Sequence, residues 1–363
     1  MGTLDGRLVV EACTRIAGPM AAWHLQMLGA DVVKVETPAG DQARNWGTGS
    51  VFNLLNAGKR CVVVDFAADA GRVEFAELCD RADVVLADGE LPAADIAWQA
   101  TRPRSVVVID AADVPGGGGV SETLAQAALA LTPYVGELGG PPARVGADIA
   151  SATCAAHAAQ AALAGLLSPA AKGPLRARVS LARSLSCEKT IHWAARSDPD
   201  AWTGYHVTGR YRPPDTGWQA ADGAMTLEFP PEAGDGWRAF CREVGLADLV
   251  DELGDGWYAT VGMEDRAHQL RPRYEAALAN YGREEAAEII RRHGGWSVPF
   301  LRAEEVVRHP QSRLFSAAVA MDSGTKLRLP WLMADQAVGE HTFAAAPKLG
   351  EHTGAVFSNA TPT

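Results

Sequence analysis

Short β-branched runs alternate with longer stretches of helical spacing through the first hundred residues of the chain. Residues 7–11, 31–36, 61–65, 83–86 and 105–109 are brief and valine-rich, and each reads as a strand. Between the first two, Gly18-Pro19 opens a helix carrying Met20, Trp23, Leu25 and Leu28, and Gly29 closes it. Residues 70–79 carry a second helical pattern. Strands alternating with helices predict βαβ units, hence the α/β class with a Rossmann-like open parallel sheet.

Beyond this sheet the pattern loosens into the glycine run Pro115-Gly-Gly-Gly-Gly119, a helical stretch at 122–131 and the loop Gly139-Gly-Pro-Pro142. Loops of this kind at the end of an α/β sheet line ligand crevices. The most apolar stretch, 149–167, is alanine-rich and interrupted by Ser151, Thr153, His157 and Gln160, so it predicts a buried helix rather than a membrane span. From Asp198 the texture changes. Aromatic residues (Trp202, Tyr205, Tyr211, Trp218) surround Pro213-Pro214, and a helical block rich in Ala, Glu and Arg follows to His293. The expected organisation is a domain at 1–190, a second, smaller α+β domain at 198–300, and a return segment at 301–363 packing on the first domain. The repeated Gly-Glu-His-Thr at 339–342 and 350–353 has no sustained period and carries no architecture.

Charge narrows the function. Thirty-three basic against 44 acidic residues give a net charge of −11, which repels nucleic-acid phosphates and anionic membranes, so neither is an expected partner. No basic segment precedes an apolar run at the start, and the expected location is cytoplasmic. The six cysteines (Cys13, Cys61, Cys79, Cys154, Cys187, Cys241) are scattered without C-x-x-C spacing and read as reduced core thiols. No zinc motif, P-loop or nucleophile elbow is present, and His157 reads as a packed helix residue, so no metal is expected. The segment after the first strand lacks the G-x-G-x-x-G of a dinucleotide site.

Asp148 is the most suggestive carboxylate. It follows a Gly/Pro loop at the start of the long apolar helix, where two roles are open to it: a plain N-cap, or a nucleophile exposed in a crevice.

Several strings, in order, resemble the class III CoA-transferases, the group that includes formyl-CoA:oxalate, carnitine and bile-acid CoA-transferases and the 2-methylacyl-CoA racemases. The opening strings are Leu4-Asp-Gly-Arg-Leu-Val-Val10, Ala17-Gly-Pro19, Leu28-Gly-Ala-Asp-Val-Val-Lys-Val-Glu36, and Gly40-Asp41 with Arg44. Asn56-Ala-Gly-Lys-Arg60, Val62-Val-Val-Asp65 and Ala82-Asp-Val-Val85 continue them, and His309-Pro-Gln311 with Ala346-Pro-Lys-Leu-Gly-Glu-His-Thr353 closes them. The resemblance implies an acyl-CoA:carboxylate CoA-transferase that carries no permanent cofactor and takes a coenzyme A thioester and a small carboxylic acid as its partners. It further implies an interlocked homodimer and a covalent aspartyl intermediate, with Asp148 as nucleophile and Glu122 as its orienting partner. Transferases carry Tyr-Glu where racemases carry His-Asp; here the pair is Ser121-Glu122, of which Glu122 fits the transferase pattern and Ser121 fits neither, and without histidine at 121 a 2-methylacyl-CoA racemase or isomerase is the second reading.

By the same resemblance, coenzyme A would be held by Arg15 and Ile16 after the first strand, Thr37 after the second, Val64 and Ala67 after the third, and Asp88 and Gly89 after the fourth. The chain departs from the family here: Thr37 and Ala67 stand where relatives offer basic residues, and Asp88-Gly-Glu-Leu-Pro92 replaces an Asn-Phe-x-Pro-Gly turn. Lost cations weaken the hold on a polyanion, and Arg15, Lys59 and Arg60 are the candidates to replace them. A family member with an eroded coenzyme A site and no catalysis is the third reading.

Overall fold

The computed structural model describes residues 2–110, 121–129, 131, 141–169, 172–197, 217–230, 232–254, 265–306, 308–310, 318–321, 324–327 and 342–358. The runs at 115–119 and 139–140, the aromatic cluster at 202–214 and most of the first Gly-Glu-His-Thr copy lie outside them. The chain forms two compact units: Met1–Thr132 with Arg144–Thr190 and His309–Thr363, and Pro133–Ala143 with Ile191–Arg308.

In the first unit, β1 (Leu8–Ala12), β2 (Asp31–Glu36), β3 (Arg60–Val63), β4 (Val84–Asp88), β5 (Ser105–Asp110) and β6 (Leu175–Ser180) build one sheet in the order β3-β2-β1-β4-β5-β6. Every pairing in it is parallel. The strands expected from sequence all appear, with ends shifted by up to two residues. Valines at successive positions of β1, β2, β4 and β5 are buried on both faces, as a sheet covered by helices on each side requires. On one side α1 (Ala17–Met27) and α6 (Ile149–Leu167) share a core with Val9, Val32, Leu86 and Val107; on the other, α3 (Asp69–Arg81) and α4 (Ala93–Gln99) pack with Val10, Val33, Val85 and Val108. The short helices α2 (Ser50–Asn56) and α5 (Glu122–Ala128) complete the segments around the carboxyl ends of the strands.

Among the described residues α6 is the one helix long and apolar enough to cross a membrane by length and composition. Its face Ala150, Cys154, Ala155, Ala158, Ala159 and Ala162 is buried in the sheet core, matching the expectation of a packed helix.

The segment 347–356 lies along the outer strand β3. His352 N donates to Cys61 O (2.8 Å) and its Nδ1 accepts from Cys61 N (3.1 Å), while Thr353 Oγ1 accepts from Val63 N (3.0 Å). These bonds satisfy an edge that would otherwise present free backbone groups.

The second unit holds a two-stranded antiparallel ribbon, β7 (Trp218–Ala220) and β8 (Gly223–Met225), with α7 (Gly234–Glu243), α8 (Ala247–Leu253), α9 (Asp265–Leu278) and α10 (Arg283–Arg292). Trp218, Trp237, Phe240 and Tyr274 are buried at its centre, and Trp237 Nε1 donates to Tyr274 Oη at 3.1 Å, so the indole is buried without losing its hydrogen bond.

Candidate active site at the switch between β1 and β4

The strand order reverses between β1 and β4, and crevices of open α/β sheets form at such a point outside the carboxyl ends of the strands. A cavity of about 410 Å³ opens there. Its walls include Thr14 to Gly18 after β1, Gln42, Trp46 and Val51 after β2, Asp88 at the end of β4, and Ser121, Glu122, Arg144, Asp148 and Ser151. Gly18 keeps the start of α1 against β1, since a Cβ there would lie 2.2 Å from Cys13 Cβ.

Glu122 is at the first position of α5, yet its carboxylate serves another helix. Oε1 accepts from Ala150 N (2.8 Å) and Oε2 from Ser151 N (2.9 Å) and Ser151 Oγ (2.8 Å), so it caps the amino end of α6 from 28 residues away. Gln126 fixes this arrangement: Nε2 donates to Glu122 Oε1 (2.8 Å) and Ala147 O (3.2 Å), and Oε1 accepts from Val145 N (2.9 Å). Asp148 occupies the N-cap position of α6 but makes no capping bond with its side chain. The plain N-cap role is thus performed by Glu122, and the Asp148 carboxylate, half exposed in the cavity wall, pairs with Arg144.

At the other wall, Asp88 Oδ2 accepts from Thr14 Oγ1 (2.9 Å) and Oδ1 from Glu90 N (3.2 Å). Burial raises the Asp88 carboxyl above its ordinary range despite these donors. The Arg15 guanidinium lies 2.8 Å from Glu90 and 3.8 Å from Asp88. One cation faces two carboxylates, so this wall carries no positive excess for a phosphate.

Beneath the cavity floor runs a network of buried charges. Lys34 Nζ contacts Glu11 (3.0 Å), Asp41 (2.9 Å) and Cys13 O (3.0 Å); Lys59 Nζ contacts Glu11 (2.9 Å), Asn56 (3.0 Å) and Pro19 O (2.9 Å). Glu36 receives Arg44 through both oxygens (2.8 and 2.6 Å) and the Asp41 amide (2.8 Å). Burial alone would push the Glu36 carboxyl up, but Arg44, Lys34 and the Cys61 thiol pull it down to about 2. Burial would likewise discharge Lys34, and the carboxylates of Glu11, Asp41 and Glu36 hold it protonated, with its pKa raised. For Lys59 burial prevails and the pKa is lowered. The network grips the wall 13–19 at the Cys13 carbonyl, the Arg15 amide and the Pro19 carbonyl.

The cavity brings together Arg15, Ile16, Asp88, Glu122 and Asp148. Thr37 and Ala67 follow the carboxyl ends of β2 and β3 outside its lining, and Ala67 is exposed. Four other candidates also lie outside this lining. The Lys59 ammonium is buried in the core on Glu11. Arg60 is at the amino end of β3 and pairs with Asp31 at the amino end of β2, away from the carboxyl ends that frame the cavity. Val64 is fully buried and its amide already donates to Glu36 O at 2.9 Å. Gly89 permits close approach of Asp110, whose Oδ1 would be 2.3 Å from a Cβ, and is absent from the lining. Sequence reasoning missed Gln126, Arg144 and Ser151; Gln126 was signalled only by its i+4 spacing from Glu122.

The model of CoA-transferase family III matches residues 4–105 and 112–353. The chain is 27% identical over 326 residues to succinyl-CoA:mesaconate CoA-transferase of Haloarcula hispanica, covering 76% of this chain and 80% of that one. It is 29% identical over 178 residues to formyl-CoA:oxalate CoA-transferase of Streptomyces avermitilis, covering 45% and 44%. Among solved structures, a CAIB/BAIF family protein from Brucella suis shares the fold at a TM-score of 0.83, with 21% identity and 99% of both chains covered.

Proposed function

The chain belongs to CoA-transferase family III, and we propose that it moves coenzyme A from an acyl-CoA thioester to a small free carboxylate through a covalent intermediate on Asp148. The observation that carries this reading is the division of labour at the start of α6: Glu122 caps the helix, which leaves the Asp148 carboxylate uncapped in the cavity wall. A carboxylate spent on capping would be a poor nucleophile. One held at a cavity by a rigid helix start is in position to attack.

In this mechanism an Asp148 oxygen attacks the thioester carbonyl, the C–S bond breaks, and a mixed anhydride and coenzyme A thiolate result. The thiolate attacks the aspartyl carbonyl, expelling the donor acid as a carboxylate and leaving an aspartyl-CoA thioester. The acceptor carboxylate attacks that thioester and the thiolate leaves again. Its return to the acceptor carbonyl yields the new acyl-CoA and frees Asp148. No redox partner and no net proton are needed. A 2-methylacyl-CoA racemase would need a proton-exchanging residue at 121, where the Ser121 hydroxyl instead accepts from Leu124 N as the cap of α5. A cytoplasmic homodimer with 198–300 as its smaller domain belongs to the same proposal.

The test is trapping. With succinyl-CoA as donor and hydroxylamine present, peptide mapping should find a hydroxamate at Asp148, and Asp148→Asn should abolish transfer; wild-type turnover in Asp148→Asn overturns the reading. The pairing of Arg15 with Asp88 and Glu90 favours a second reading, a member that no longer binds coenzyme A, and a thermal-shift screen with acyl-CoAs separates the two.

A further inference from the structure

We propose that Arg144 is the binding residue for the acceptor acid, released to that task by the chemistry at Asp148. The inference rests on the transferase reading above and adds the group that recognises the second substrate.

Two of the described cavity-lining residues are cationic, Arg15 and Arg144. Arg15 is surrounded by Glu90 and Asp88 and offers little charge to an incoming anion. Arg144 is partly exposed and its ion pair is with Asp148 itself, four residues on. The loop 144–148 is held by Gln126, through Val145 N and Ala147 O, so the backbone keeps the root of the Arg144 side chain within reach of position 148 whatever bond Asp148 carries.

In the free protein Asp148 is an anion and occupies Arg144. Once the aspartyl-CoA thioester forms, the Asp148 carbonyl is neutral and its claim on the guanidinium lapses. The negative charge has moved to the donor acid, which leaves. Arg144 is then a cation without its partner, adjacent to the carbonyl that the next nucleophile must attack, and that nucleophile is a carboxylate. A guanidinium fork is matched to a carboxylate in charge and in its paired donors. When the acceptor has carried the coenzyme A away, Asp148 regains its charge and closes the pair again. Arg144 therefore binds the acid only in the half of the cycle in which an acid is needed.

Asp148→Asn imitates the neutral intermediate, so the proposal can be tested by binding without turnover. Succinate, glutarate, mesaconate and oxalate are titrated calorimetrically into wild type, Asp148→Asn, Arg144→Gln and the double variant. At least one dicarboxylate should bind Asp148→Asn ten-fold or more tightly than wild type, the gain should be lost in the double variant, and it should shrink with added salt. Asp148→Ala removes the same charge and serves if Asp148→Asn is poorly folded. Equal binding by wild type and both Asp148 variants, a gain that survives Arg144→Gln, or binding of none of the four acids overturns the proposal. In turnover, Arg144→Gln should raise KM for the acceptor acid more than it raises KM for succinyl-CoA, and equal changes in the two count against the proposal. The nucleophile reading fails on different evidence, namely transfer by Asp148→Asn.

Discussion

Asp41 holds Arg15 in the left-handed backbone region: Asp41 Oδ1 accepts the Arg15 amide at 3.0 Å, and Arg15 has φ +68°. A non-glycine residue pays about 1–2 kcal/mol for this conformation, and the same Asp41 oxygen accepts from Ala43 N (2.9 Å) while Oδ2 meets Lys34. The wall of the cavity is thereby bent by a buried carboxylate that lies outside the cavity lining.

Removing that carboxylate should loosen the wall more than the fold. Asp41→Ala is expected to raise KM for acyl-CoA about tenfold, about 1.4 kcal/mol, with a smaller change in kcat. In an Arg15→Gly background, where glycine favours positive φ unaided, the same substitution should cost much less. Kinetics on the four proteins of this cycle check the coupling, and equal effects in both backgrounds refute it.

Glu122→Gln leaves one amide oxygen where two carboxylate oxygens serve Ala150 N, Ser151 N and the Ser151 hydroxyl. The expected loss of stability is about 1–3 kcal/mol, together with faster amide exchange in the first turn of α6. Both are read by denaturant titration and hydrogen exchange, and unchanged protection there would contradict the capping role.

The Glu36 carboxyl, held near 2, sets a pH dependence. Its folded value lies below the ordinary 4.5, so the stabilisation is complete above about 4.5 and is lost as the pH falls through about 2. The gap is worth at most about 3 kcal/mol. The stability difference between wild type and Glu36→Gln, measured by urea unfolding, should therefore be largest at neutral pH and shrink between pH 4.5 and 2.

Arg15 lies on Glu90 and Asp88 and Lys59 is buried, so on the proposed reading neither stands in for a cation at Thr37 or Ala67. Coenzyme A and dephospho-CoA should bind within about twofold of each other. Ala67→Lys should favour coenzyme A several-fold, with a gain that fades as salt screens charge over about 8–10 Å. A strong wild-type preference for coenzyme A would show that other cations hold its 3′-phosphate.

The inner strands were legible because uninterrupted valine runs fit buried parallel strands and little else. β6 was not: its sequence Leu-Arg-Ala-Arg-Val-Ser alternates, since it is an outer strand whose Arg176 and Arg178 reach Trp98 O, Ala100 O and Asp110. At the candidate site, Asp148 could be found but its two roles could not be separated, because the residue that relieves it of capping lies 28 positions away. Lys59 shows the converse. Its flanks read as surface, and only the pairing of β1 with β2, which sets Glu11 beside Lys34, reveals that acid and bases share one buried site.

The bonds between β3 and 347–356 also order the protein's synthesis. Cys61 and His352 are 291 residues apart, and at about 5–20 residues per second the ribosome needs on the order of 15–60 s to make that interval. Throughout it the nascent sheet offers an unprotected β3 edge, and Arg44, which donates to Pro347 O at 3.1 Å in the finished chain, has no such acceptor. How long that edge stays open during synthesis is thus set by how late 347–356 are made.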